Sequence, residues 1–287
     1  MKKHILLYSL ILIVLASCKN IEGMVTVEED GKDLPFRKVL KHQDNNVKYK
    51  YAEKYFTNKE YTKAVELYEE LVPAYVLTER AQHVYYRYAE CQYFMKDYYL
   101  AGYYFKKFTR KYAISSKAEE ALFMHALCKV KLSPNYSLDQ TETENAIEAL
   151  QLFVDRYPQT VKKDTCNLIM DKLNAKLELK QFEKAKLAYN TENYKAATVL
   201  FKTTLEKYPN TRYKEETMFL HLKSSLLLAE NSIETKKKER FEETIKSYHI
   251  FVASFPDSEN RKEAEKIKMD ADRGLSLLKQ IQVLKKK

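Results

Sequence analysis

Tyr61-Thr-Lys-Ala-Val-Glu-Leu-Tyr-Glu-Glu-Leu-Val-Pro-Ala-Tyr75 sets aromatic, small or aliphatic residues at Tyr61, Ala64, Tyr68, Leu71 and Tyr75. Offsets of 3, 7, 10 and 14 from the first residue trace one stripe of an α-helix, because 3.6 residues make a turn. The stripe returns at Tyr98, Ala101, Phe105, Phe108 and Tyr112. A third copy runs Thr143, Ala146, Leu150, Phe153, Tyr157. A fourth is Tyr194, Ala197, Phe201, Thr204, Tyr208, and a fifth is Phe241, Thr244, Tyr248, Phe251, Phe255. In the last three copies a proline (Pro158, Pro209, Pro256) follows the final aromatic. Proline cannot continue a helix, so each stripe has a marked end.

A second small residue precedes the first by 12 positions in three copies, as Ala52, Ala89 and Ala185, and is displaced to Ala126 in the third. This places a further helix before each stripe, with a small residue that lets the two helices approach closely. The pairing resembles the tetratricopeptide repeat (TPR), whose unit is about 34 residues. The chain therefore reads as all-α, a tetratricopeptide-like helical-repeat superhelix. Its five repeats fall at about 46–76, 80–113, 116–158, 160–209 and 212–256, with a capping helix at 261–284. The small residues Ala64, Ala101, Ala146, Ala197 and Thr244 lie 37, 45, 51 and 47 apart. The surplus sits in Ser133–Asp139, around Glu230–Arg240, and between Pro158 and Ala185. The last surplus is nearly four helical turns and keeps the helix face. It predicts an over-long helix from Thr160 to Asn190, projecting from the stack and free to hold a partner. Thr160, Thr211 and Ser258 stand where helices begin and are expected to be N-caps. The pair Phe123 and His125 is echoed by Phe219 and His221, each after two glutamates in a first helical turn.

Residues 1–17 read as an export signal. Lys2, Lys3 and His4 precede an apolar run from Ile5 to Leu15. That run is shorter than the roughly 20 residues a membrane-spanning helix needs. Leu15-Ala-Ser-Cys18 has the form of a bacterial lipobox, which makes Cys18 the expected site of lipid attachment. Several acyl chains anchor a protein stably, at about 0.8 kcal/mol per buried CH₂. Residues 18–45 then form a lipidated tether, and 46–287 the repeat domain. Cys91, Cys128 and Cys166 fall in helical patterns and are expected as free buried thiols.

The composition removes most catalytic classes. There are 287 residues, with 50 Lys+Arg against 40 Asp+Glu, a net charge of +10, and no Trp. Four scattered glycines cannot form a phosphate-cradling loop. The six histidines show no metal spacing and no Cys-x-x-Cys occurs. No catalytic residue, metal site or cofactor is expected beyond the covalent lipid on Cys18. The positive charges are interspersed, and export removes nucleic acid as a partner. The 23 tyrosines exceed what the repeats use. The surplus gathers in the first two repeats, and Tyr51, Tyr55, Tyr85, Tyr86, Tyr88 and Tyr93 are the candidate client-binding residues. Tyrosine buries apolar side chains and hydrogen-bonds an extended backbone.

Lipobox, five repeats and a terminal helix resemble the BamD family, the lipoprotein subunit of the outer-membrane β-barrel assembly (BAM) machinery. Phe36–Lys41, Tyr61–Tyr68, Ser133–Thr141 and Leu228–Glu234 look like the Bacteroidota-type form of that family. The resemblance implies a non-catalytic scaffold that is lipid-anchored at the outer membrane and faces the periplasm. Its partners would be the POTRA domains of BamA, chiefly through the C-terminal repeats, and unfolded outer-membrane protein precursors at the N-terminal ones. Other BAM lipoproteins would be possible partners too. The acidic stretch before Phe36, and Ala113 where a repeat-ending proline is usual, depart from the pattern. Two other classes fit the anchor: a periplasmic TPR adaptor in envelope division or peptidoglycan processes, and a surface glycan-binding lipoprotein. The first is expected to carry an oligomerising coiled coil, and the second exposed Trp platforms. Neither feature is found in the sequence.

Overall fold

The structure is a computed structural model that describes residues 34–285, so the Cys18 lipid site and the export signal lie outside the described residues. Every element among the described residues is a helix. They group into two compact units that divide after Leu132, inside what the periodicity reads as the third repeat.

The first unit holds α1 (Phe36–Leu40), α2 (Asn45–Thr57), α3 (Tyr61–Ala74), α4 (Ala81–Phe94), α5 (Tyr98–Lys111) and α6 (Ala118–Leu132). The second holds α7 (Thr141–Arg156), α8 (Lys163–Asn190), α9 (Tyr194–Lys207), α10 (Lys214–Glu230), α11 (Glu234–Ser254) and α12 (Arg261–Lys285). Within each unit successive helices pack side by side. The small residues are what lets them do so: Ala52, Ala64, Ala89, Ala101, Ala146, Ala185 and Ala197 are all fully buried. Tyr68, Phe105, Phe108, Phe153, Phe201 and Phe251 from the stripes fill the space around them.

Two kinds of turn alternate. Within helix pairs, α2–α3, α4–α5 and α8–α9 turn through Lys59, Lys96 and Glu192, each at positive φ (63°, 67° and 59°). The backbone N–H after each, Glu60, Asp97 and Asn193, bonds the carbonyl five residues back at 2.8–2.9 Å. That closes the helix end in the left-handed cap geometry. Asp97 and Asn193 then cap the following helix, accepting from Leu100 N and Ala196 N. Between pairs, the hydroxyls of Ser115, Thr160, Thr211 and Ser258 accept from the N–H two residues on, at 3.0–3.2 Å. These are hydroxyl turns, and the helices start three residues after each one. Thr160, Thr211 and Ser258 are therefore turn-formers ahead of the helix rather than its N-caps.

The long helix α8 spans 28 residues. It does not project freely: Cys166, Leu173, Phe182 and Ala185 are buried along its length. Its middle is clasped by the Ser133–Thr141 loop. Lys176 Nζ donates to Ser133 Oγ at 2.6 Å and to the Pro134 carbonyl at 2.9 Å, and Lys180 Nζ to the Leu138 carbonyl. Burial lowers the Lys176 pKa. The loop is itself internally bonded. Gln140, buried, donates to the carbonyls of Asn135 (2.7 Å) and Leu138 (2.9 Å) and accepts from the Thr143 hydroxyl (2.7 Å).

Candidate binding surface

Five of the six tyrosines expected to face a client lie in the interior. Tyr51, Tyr55, Tyr85, Tyr86 and Tyr88 are 4–8% exposed, and only Tyr93 is partly open. The helix that follows covers the three of α4, and the segment that precedes α2 meets Tyr51 and Tyr55. Tyr86 packs edge-on against Phe105 and Phe108 of α5, and Tyr88 against Tyr104, whose ring centre is 4.7 Å away. Tyr85 meets Tyr104, Phe108 and Tyr112, and burial raises its phenol pKa. Tyr55 meets Phe36 of α1, and the Tyr51 hydroxyl accepts from Leu34 N–H at 2.7 Å. These rings are core, so the five do not offer a free face.

The most exposed aromatics of the first unit are Tyr99 and Tyr103 on α5, and a partly buried aromatic row lies at the turns between paired helices. Phe56 ends α2, Tyr61 begins α3, Tyr93 and Phe94 end α4, and Tyr98 begins α5. Their rings form a continuous row. Phe56 to Tyr61 is 5.6 Å, Tyr61 stacks on Phe94 at 4.7 Å, Phe94 to Tyr93 is 5.8 Å, and Tyr93 to Tyr98 is 5.5 Å. Phe94 is 45% exposed, with Met95 beside it at 41%. The row arises because the helix-ending and helix-starting positions of both pairs carry aromatics, and the three-residue turns bring them together.

A charged seam runs into this row. Glu53 of α2 accepts from the Tyr68 hydroxyl, lies 2.8 Å from His83 Nε2, and lies 3.8 Å from Arg87 Nε. Arg87 also donates to Glu90 at 3.0 Å and lays its guanidinium 4.1 Å above the Phe56 ring. Burial pushes the Glu53 carboxyl up, but the bonds from His83 and Tyr68 outweigh it and hold it below the usual carboxylate range. Glu90 stays raised, because burial there exceeds the help from Arg87. The arrangement supplies an apolar row with hydrogen-bonding charge beside it, which suits an extended peptide. The sequence reading missed Phe56, Phe94, Glu53, His83 and Arg87. The signal was present in the paired aromatics that flank each Asn58–Glu60 type turn.

The remaining candidates for chemistry are structural. His125 Nδ1 bonds the Gly102 carbonyl at 2.9 Å, and burial lowers its pKa to about 4. Cys91, Cys128 and Cys166 are free and buried, and burial pushes the first two thiols up to about 12. Among the described residues no cluster of His, Cys, Asp or Glu has metal-binding geometry, and no helix is long and apolar enough to cross a membrane.

No curated protein matches the chain. Among solved structures, the chain is similar to a TPR repeats protein from Bacteroides fragilis NCTC 9343, at 13% identity over 81% of this chain and 99% of that one, TM-score 0.36. It is also similar to the P58(IPK) TPR domain, at 13% identity over 86% of this chain and 71% of that one, TM-score 0.39. A model of the YfiO family, described as an outer membrane lipoprotein, matches residues 41–238. That match takes in most of the helices above, from α2 into α11, and the chain belongs to the YfiO outer membrane lipoprotein family.

Proposed function

We propose that this chain is a non-catalytic scaffold of the outer-membrane β-barrel assembly machinery, anchored by acylated Cys18 and facing the periplasm. The observation that carries this reading is the family match across residues 41–238. In this reading the second unit engages the POTRA domains of BamA. The first unit receives unfolded barrel precursors along the row Phe56, Tyr61, Phe94, Tyr93 and Tyr98, with the Glu53–His83–Arg87 seam bonding their backbone. Helical-repeat proteins present such surfaces through packing of neighbouring units rather than through a closed pocket. Ordering a client segment costs free energy, so binding is expected to be moderate and reversible.

The test is photo-crosslinking in cells from a benzoylphenylalanine placed at Phe94 and, separately, at Tyr85. Precursor adducts from position 94 and none from the buried position 85 are the expected outcome. Adducts from neither position, with the protein folded, would remove the client-binding part of the reading.

A further inference from the structure

In the second unit, α9 and α11 flank α10 and leave two adjoining clefts between them. One of about 190 Å³ is lined by Thr198, Val199, Lys202, His221, Ser225, Leu228, Arg240 and Glu243. The other, about 220 Å³, shares Lys202, His221 and Glu243 and adds Leu205, Met218, Lys246, Ser247 and Ile250. His221 stands where they meet.

The first unit shows what this position does when it is closed. By repeat register His221 matches His125, and Thr198 matches Gly102. Gly102 lets α5 and α6 approach so closely that an added Cβ would lie 3.2 Å from Cys128 Cβ, and His125 bonds the Gly102 carbonyl. In the second unit the glycine is a branched threonine, and the His221 ring makes no hydrogen bond. The neighbouring hydroxyls are already spent: Thr198 donates to the Lys195 carbonyl and Ser225 to that of His221. The rims are apolar and open, with Val199 60% and Ile250 51% exposed. The charge is one-sided, since Lys202, Arg240 and Lys246 face the single carboxylate of Glu243. Glu243 lies 3.9 Å from Lys246 and Arg240 donates to the Ser232 hydroxyl, so neither Lys202 nor Arg240 has a carboxylate partner. Each cleft is smaller than the roughly 300–1,000 Å³ of a small-molecule pocket and suits single side chains.

We propose that this cleft docks a protein segment in which aliphatic side chains are flanked by carboxylates. The aliphatic groups fill the space on either side of His221, against Val199, Met218, Leu228 and Ile250. The carboxylates meet Lys202, Arg240 and Lys246, and the imidazole bonds the segment's backbone. Any protein partner bearing such a segment satisfies these contacts, whether or not BamA binds the chain.

The probe is a capped nine-residue peptide of alternating Glu and Leu, titrated into the full mature lipoprotein in detergent with ¹³C-labelled histidine. The expected result is a saturable shift of the His221 resonance, with His125 unmoved and a dissociation constant below about 1 mM, the edge of weak specific binding. Replacing the peptide's Glu by Gln, or the protein's Lys202→Glu with Lys246→Glu, weakens binding at least tenfold while the melting temperature holds. A peptide with Leu replaced by Ser does not bind. No His221 shift, or equal binding of the Glu and Gln peptides, overturns the proposal. An unchanged affinity in the folded charge-reversed variant does so as well.

Discussion

Gly274 and Gly102 show how one missing Cβ sets helix spacing. A Cβ on Gly274 would fall 2.5–2.9 Å from three atoms of the buried Phe241 ring, inside contact distance. Gly274→Ala gains about 1 kcal/mol of helix propensity. Displacing the ring costs more, about 1–3 kcal/mol. Thermal melts should show a net loss for Gly274→Ala, with Tm lower by roughly 2–6 °C. Gly102→Ala gains the same helix propensity against one tight contact, 3.2 Å to Cys128 Cβ, so the two nearly offset and the variant should lie near neutral. His125 sets a pH limit. Its folded pKa is depressed to about 4 by burial, below the usual 6.5, so the unfolded chain binds the extra proton between those values. The stability it supports is complete above pH 6.5 and is lost as pH falls to about 4, amounting to about 3 kcal/mol. Denaturant melts across that window should fall steeply for the wild type and less steeply for His125→Gln. The burial of Ala64, Phe105 and Phe201 was legible from helical period alone. That of Tyr85 and Tyr88 was not. Periodicity says which face of α4 a tyrosine occupies, but the cover comes from Tyr104 and Phe108 on the next helix.

At the scale of elements, the Ser133–Thr141 loop and α8 form one assembly. The loop's carbonyls are bonded by Gln140 from within and by Lys176 and Lys180 from the long helix. Gln140→Ala removes three hydrogen bonds, leaving the Asn135 carbonyl with Leu138 N–H, the Leu138 carbonyl with Lys180 Nζ and the Thr143 hydroxyl with Ser133 Oγ. Each lost hydrogen bond contributes about 1 kcal/mol net. The variant should lose about 2–3 kcal/mol, read by denaturant melts, and amide exchange at Asn135–Asp139 should accelerate. Unchanged exchange would show that the clasp by α8 alone holds the loop. The sequence located this segment as a surplus and α8 as an over-long helix, since both break a counted spacing. It did not reveal that one grips the other, because a lysine reaching a carbonyl some forty residues away leaves no periodic trace. The hydroxyl turns were misplaced by a few residues for a related reason. Ser and Thr serve equally as caps and as turn-formers, and only the backbone bond distinguishes them.

At the scale of the whole chain, each of the two units buries its own aromatic core, and each carries a candidate binding surface at the edge of that core. In the first it is the row from Phe56 to Tyr98 with its charged seam. In the second it is the cleft at His221. A family of outer membrane lipoproteins built from helix pairs fits a role in holding other proteins, and the assembly-machinery reading names them. Affinity capture of a C-terminally tagged chain from gently solubilised envelopes, with partners identified and quantified by mass spectrometry, tests it most directly. BamA recovered in near-equimolar amount is the predicted result. Its absence, with division or glycan-uptake proteins recovered in its place, would contradict the account.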